Sequence, residues 1–192
     1  MTDVVRIVFE THSLTVDNER GVATGWLGGA LSAQGCALAR ELGERRRDDG
    51  IAAVFSSDLA RAVETAEIAF GATDIPVCLD WRLRETDYGE LNGAPADAIA
   101  VERGRRVDLP FPGGESYRDA ADRVASFIHD LRGGGHAGKR VLLIGHTATR
   151  WALDHLLDGR PLEQVVTAPF DWREGWEYDL DPNVGAIARA AA

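Results

Sequence analysis

The sequence predicts an α/β domain with three layers, α/β/α, around a mostly parallel central sheet. Short β-branched apolar runs recur along the chain, helical patterns alternate with them, and several runs end in polar or reactive residues. Strands alternating with helices pack as a parallel sheet, because each crossover helix carries the chain back across one face. The 192 residues contain no internal repeat and no interdomain linker, so a single domain over 1–192 is expected.

Val4 to Phe9 (VVRIVF) is β-branched and nearly all apolar, as a strand buried on both faces requires. After a polar stretch rich in Asn, Gly and Thr, Ser32 is placed to cap a helix running to about Gly43. Ala33, Ala37, Leu38 and Leu42 lie near helical spacing there. The ERRRDDG segment closes that helix, and its balanced charges predict a solvated terminus. Ile51 to Ser56 (IAAVFS) reads as a second strand, with Ser57 and Asp58 as candidate caps of the helix LARAVETAEIAF. Pro76 to Leu79 is a short third strand, Arg82 to Gly93 is irregular, and Ser116 to Leu131 repeats at helical period. Gly133 to Lys139 resembles a nucleotide-binding loop, but Arg140 stands where a magnesium-holding hydroxyl belongs and the segment precedes a strand, so that reading is rejected. Val141 to Ile144 (VLLI) is a strand leading into a helix from about Thr147 to Leu157, and the Trp-rich tail to Leu180 adds an edge strand.

Composition narrows the function. With 45% hydrophobic and 27% charged residues the chain is an ordinary globular sequence. Its 21 Lys and Arg face 31 Asp and Glu, a net charge of −10, which argues against a nucleic-acid or anionic-membrane partner. An anionic substrate therefore needs a local cationic pocket. Cys36 and Cys78 lack metal-ligand spacing, so neither a zinc site nor a disulfide framework is expected, and a reducing, cytoplasmic setting is the default. The amino-terminal apolar run is too short for a signal peptide, and no stretch approaches the roughly 18 apolar residues of a membrane helix.

In an open α/β sheet the functional residues lie beyond the carboxyl ends of the strands. Three such ends carry chemistry: Glu10-Thr11-His12-Ser13, then Ser56-Ser57-Asp58-Leu59-Ala60-Arg61, then Gly145-His146-Thr147. Two histidines and an arginine are thereby placed to converge. With Asn18, Thr24-Gly25-Trp26, SSDLARAVETAE, LRETDYGELNG and Pro112-Gly113-Gly114-Glu115-Ser116 in the same order, the chain resembles the histidine phosphatase superfamily, the phosphoglycerate-mutase-like group, over about Val4 to Leu157. The resemblance implies that His12 is a transiently phosphorylated nucleophile, that Asn18 contacts phosphate, that Arg61 is the pocket arginine, that Glu85 is the acid and that His146 is the second histidine. A neutral imidazole attacking phosphorus divides one difficult step into two. Arg61 and a protonated His146 would then hold the equatorial oxygens, while Glu85, its pKa raised by burial, protonates the departing oxygen and later accepts a proton from water. This scheme requires no metal and no other cofactor.

The departures are specific. Where the family has Arg-His-Gly this chain has Thr11-His12-Ser13, so a guanidinium is replaced by a hydroxyl. Losing one hydrogen bond to a charged group costs about 1.5–3 kcal/mol, roughly one to two decades in rate. Thr147 replaces the Gly that usually follows the second histidine. Strand alternation puts Glu10 on the face of His12, where an ionised carboxylate repels phosphate unless it orients the ring, contacts a substrate hydroxyl or amine, or points away. Arg84 or Arg150 is placed to compensate for position 11, Arg150 because it follows His146 by about one helical turn. Arg105-Arg106 lies where the resemblance implies recognition of a substrate carboxylate. Tyr88 and Trp26 are candidate pocket walls, with packing as their ordinary alternative, and the other Trp residues read as packing.

The functional expectation is a metal-independent phosphatase acting on a small phosphomonoester, with phosphoglycerate mutase as the enzymatic alternative and a phospholigand-binding pseudophosphatase as the non-enzymatic one. Hydrolysis is favoured because the resemblance implies that mutases are usually longer, with insertions that enclose the site. Nothing in the sequence selects an oligomeric state.

Overall fold

A computed structural model describes residues 3–181; the expected domain boundaries at the two extreme ends lie outside the described residues. The first strand, β1 (Val5–Thr11), is buried along nearly its whole length, as its β-branched composition requires. It lies between β6 (Arg140–Gly145), which runs parallel to it, and β7 (Trp176–Leu180), an antiparallel edge strand. Beyond β6 come β3 (Ile51–Ser56) and β4 (Val77–Leu79), both parallel, so the sheet order is β4-β3-β6-β1-β7. This is a mixed α/β fold with a mostly parallel central sheet flanked by helices, as the alternating pattern predicted. A two-stranded antiparallel ribbon of β2 (Val22–Ala23) and β5 (Ala94–Pro95) was not anticipated; each partner is too short to carry a periodic signal.

Alternation decides which helices cover which face. Ile7, Phe9, Val141 and Leu143 point into a core closed by α5 (Tyr117–Gly133), α6 (Thr147–Leu156) and the short α7 (Leu162–Thr167). Val8, Leu142 and Ile144 point the other way, against α2 (Ala33–Arg46) and α3 (Ala60–Phe70). The remaining helices, α1 (Val16–Glu19) and α4 (Ala96–Glu102), are single short pieces on the connections. Ser32 caps α2 by accepting from the Gly35 N–H, and Ser116 with Asp119 forms a capping box on α5. The expected caps of α3 are corrected: Leu59 is the cap residue, and Asp58 turns instead to Arg84. The helix α2 also runs beyond Gly43 to Arg46, because its last turn has a buried carboxylate to bind.

Candidate active site

The three chemistry-bearing strand ends are neighbours because β6 lies between β1 and β3. Thr11 is in register with Gly145, and Ser56 with Ile144. The ladder continues one residue past each strand: the His12 N–H donates to Gly145 O at 2.9 Å and the Ser57 N–H to Ile144 O at 2.9 Å. Strand pairing therefore delivers His12, Ser57 and His146 to one place, and the His12 and His146 rings lie 5.0 Å apart between centroids.

His12 is oriented through both nitrogens. Nδ1 lies 2.7 Å from Ser13 O, a contact that only an Nδ1–H can make as a hydrogen bond, so Nε2 keeps its lone pair. That lone pair accepts from Arg61 Nε at 3.3 Å. Burial, and next the Arg61 charge, lower the His12 pKa to about 3, so the ring is neutral. The turn beneath it is held by Thr65 Oγ1, which accepts from the Ser13 N–H at 3.0 Å and donates to Arg61 O at 2.7 Å. Gly35 lets α2 approach: a Cβ there would meet Leu14 O at 1.9 Å.

Arg61 is almost fully buried and also donates to Gly25 O at 2.9 Å and Leu27 O at 3.3 Å. Gly25 has φ +56°, and a Cβ on it would overlap Asn92 Oδ1, so glycine is required where the loop meets the guanidinium. His146 shares its Nε2 with Ser57 Oγ at 2.9 Å. Ser57 Oγ also accepts from the Leu59 N–H, so one hydroxyl links the His146 ring to the start of α3. Glu85 is buried beside α6, where its Oε1 accepts from the N–H groups of Thr86 (2.8 Å) and Ala148 (3.2 Å). Burial raises its pKa; those two N–H groups and the Arg61 and Arg123 charges offset only part of the rise. A cavity of about 440 Å³ reaches His12 and is lined in part by Thr11, Asn18 and Thr147.

Comparison with known proteins bears directly on this geometry. The sequence profile of the histidine phosphatase superfamily (branch 1) matches residues 7–174. The chain belongs to that superfamily. A 2,3-bisphosphoglycerate-dependent phosphoglycerate mutase of Parvibaculum lavamentivorans is 30% identical over 95% of this chain and 94% of its own length. Among solved structures, Bacillus stearothermophilus YhfR superposes with TM-score 0.78 at 26% identity over 88% of each chain. A mycobacterial glucosyl-3-phosphoglycerate phosphatase superposes with TM-score 0.75 at 29% identity over 85% of each.

For this superfamily member, several expectations need correction. The free site does not hold a protonated His146: burial, then Arg61, His12 and Arg123, push its pKa well below the imidazole range. Neither compensating arginine faces His12. Arg84 is locked on Asp58 by two 2.6 Å bonds and stacks on Trp26, and Arg150 pairs with Asp154 behind Trp176. Arg105 is exposed beside Glu102, while Arg106 is held by Glu102 and Pro110 O, so neither lines the cavity. Tyr88 is a core residue edge-on to Phe111 rather than a pocket wall. Thr24 donates to Asp17, and the Asn18 side-chain oxygen caps α1 through the Thr15 N–H, though Asn18 also borders the cavity. Glu10 lines the cavity with His12, as alternation requires, but accepts from Arg46 Nε at 2.9 Å and Nη2 at 2.7 Å. A solvated ERRRDD terminus is thus wrong for Arg46, which is 8% exposed.

Sequence reasoning missed the supporting residues. Ser57 holds the His146 ring through Nε2. Arg123 donates to the Glu85 carbonyl at 2.9 Å and Trp26 Nε1 to the same oxygen at 2.6 Å, fixing the backbone that carries the Glu85 carboxyl. Glu115 anchors Arg123 at 2.6 Å. The only sequence signal for Glu115 was its place in the Pro112–Ser116 motif. Trp172 departs from the packing expected of it: it is 57% exposed and walls the cavity.

Proposed function

We propose that this chain is a metal-independent phosphatase that hydrolyses a small phosphomonoester through a phosphohistidine on His12. The observation that carries this reading is the His12 ring, pinned through Nδ1 with its Nε2 lone pair directed at the Arg61 guanidinium, which draws an anionic phosphoryl group to the nucleophile. Nε2 attacks phosphorus; an N–P bond forms as the ester P–O bond breaks, and its electron pair leaves on the alcohol oxygen. That oxygen takes the proton of Glu85, a burial-raised acid. Water then attacks phosphorus, giving a proton to the Glu85 carboxylate, and the N–P pair returns to Nε2 as inorganic phosphate departs.

Phosphoryl transfer asks chiefly for positioning and charge stabilisation. Arg61 exchanges its contacts with Gly25 O, Leu27 O and Nε2 for phosphoryl oxygens, and the His146 ring beside His12 adds a second nitrogen-bearing side chain at the same place. Hydrolysis needs water at the phosphoenzyme, and the cavity beside His12 supports such access. The same reading takes the ligand to be a small cytoplasmic phosphoester, with no nucleic-acid or membrane partner, and residues 1–192 to work as one domain.

A mutase reading is favoured by the mutase names of relatives at about this identity, one of them matched over 94% of its own length, so the greater length expected of mutases does not separate the two readings. Against it, Arg105 and Arg106 are engaged away from the cavity, leaving there, among the described residues, no arginine for a phosphoglycerate carboxylate except the already paired Arg45.

The test is phosphate release from small monoesters without added metal, with trapping of acid-labile phosphate on the protein. Release and label in the wild type, both lost in His12→Ala, are the expected result. Equal rates in the two proteins would replace the enzyme by a phospholigand-binding protein. Dependence on a bisphosphoglycerate primer would replace the phosphatase by a mutase.

A further inference from the structure

The cavity at His12 has a chemistry that the transfer steps do not use. Leu38 and Leu42 of α2 form one side; Phe170 and Trp172 form another, and these two rings remain 38% and 57% exposed. Large aromatic faces left open beside a nucleophile are contact area for the group attached to the phosphate. The cavity also carries three carboxylates, Glu10, Glu41 and Glu174, against one guanidinium, Arg45. Glu10 is neutralised by Arg46, and Arg45 is shared between Glu10 at 3.3 Å and Glu174 at 3.8 Å. Glu41, exposed on α2, has no ion-pair partner among the described residues. Carboxylates alone would be a solvated cluster. Here they border aromatic walls in a space of about 440 Å³ that ends at the nucleophile.

We infer that this cavity seats the alcohol portion of the substrate and selects phosphomonoesters of ammonium-bearing alcohols. The inference rests on the phosphatase reading above. An ammonium group is attracted by an aromatic face and by the unpaired Glu41 carboxylate, whereas a second anion on the alcohol meets an excess of negative charge. This selection is opposite to that for phosphoglycerate, whose carboxylate finds no unpaired cation among the described residues of the lining.

Three esters of similar size separate the possibilities: phosphocholine, its uncharged isostere 3,3-dimethylbutyl phosphate, and 3-phosphoglycerate. Steady-state phosphate release is expected to rank them in that order, with kcat/KM for phosphocholine about tenfold above the isostere. Glu41→Gln, a change on the exposed side of a helix, lowers kcat/KM for phosphocholine alone by about three- to tenfold. Trp172→Ala lowers it for phosphocholine and the isostere together. The inference is overturned, with the phosphatase intact, if the isostere or 3-phosphoglycerate is hydrolysed as well as phosphocholine, or if Glu41→Gln affects all three alike. If no ester releases phosphate, the phosphatase reading fails and calorimetry decides the cavity: tighter binding of phosphocholine than of its isostere, lost in Glu41→Gln, upholds it, and equal or absent binding rejects it.

Discussion

Position 11 is where a single side chain is expected to set the rate. Thr11 lies at the end of β1, in register with Gly145 and bordering the cavity at His12, yet neither Arg84 nor Arg150 reaches it. A guanidinium restored there adds a charge-assisted donor to the phosphoryl group. Thr11→Arg is expected to raise kcat/KM on simple esters by roughly 10- to 100-fold, read from initial rates; an unchanged rate would mean that the charge is already supplied. His12 leads to a second prediction. Its folded pKa is about 3 against an ordinary 6.5, and His146 is shifted the same way, so between those values the two rings bind more protons in the unfolded chain than in the folded one, whereas Glu85, shifted up, binds fewer. The histidine contribution to stability therefore rises with pH across that window and is lost as pH falls. Urea denaturation at intervals from pH 4 to 7 is expected to show this slope, made shallower by His12→Asn; identical slopes would show that the site histidines do not drive it.

At the level of elements, the last turn of α2 is tied to the end of β1. Arg46 reaches Glu10, Asp49 and the Glu174 carbonyl, joining a helix, a strand end and the loop before β7. Removing one partner of a buried ion pair leaves the other charge stranded. Arg46→Ala is expected to cost about 3–5 kcal/mol in urea unfolding, while the double change Glu10→Leu with Arg46→Met restores most of it. A loss under 1 kcal/mol on Arg46→Ala would show that the pair is solvated. The helix was legible from Ser32 and its apolar spacing, but its tether was not, because a run of balanced charges looks the same whether or not a carboxylate lies buried opposite it.

For the molecule as a whole, the net charge of −10 acts on every encounter with an anionic substrate. Arg61 is buried and Arg84 and Arg150 are paired with carboxylates, so the net negative field repels a phosphate dianion until it reaches the pocket. Raising ionic strength from about 0.01 to 0.15 M shortens the screening length from roughly 30 to 8 Å. The value of kcat/KM for a dianionic ester is accordingly expected to rise by about two- to fivefold over that range, with kcat unchanged. A fall instead would reveal a cationic field at the entrance. No helix among the described residues is long and apolar enough to cross a membrane.

The sequence by itself determined the layered α/β fold and the major strands and helices, because these are written in local periodicity, and its resemblance to the superfamily singled out His12, Arg61, Glu85 and His146 as candidates. Only the tertiary structure decided how those residues are held. The Ser57 contact to His146 spans 89 residues, the Arg46 contact to Glu10 spans 36, and the Arg46 contact to Glu174 spans 128. Local spacing carries no record of such pairs. A charged side chain is free or spent according to what the fold sets opposite it, and that assigned Arg84, Arg106 and Arg150 to partners of their own while leaving Trp172 and Glu41 at the cavity beside His12.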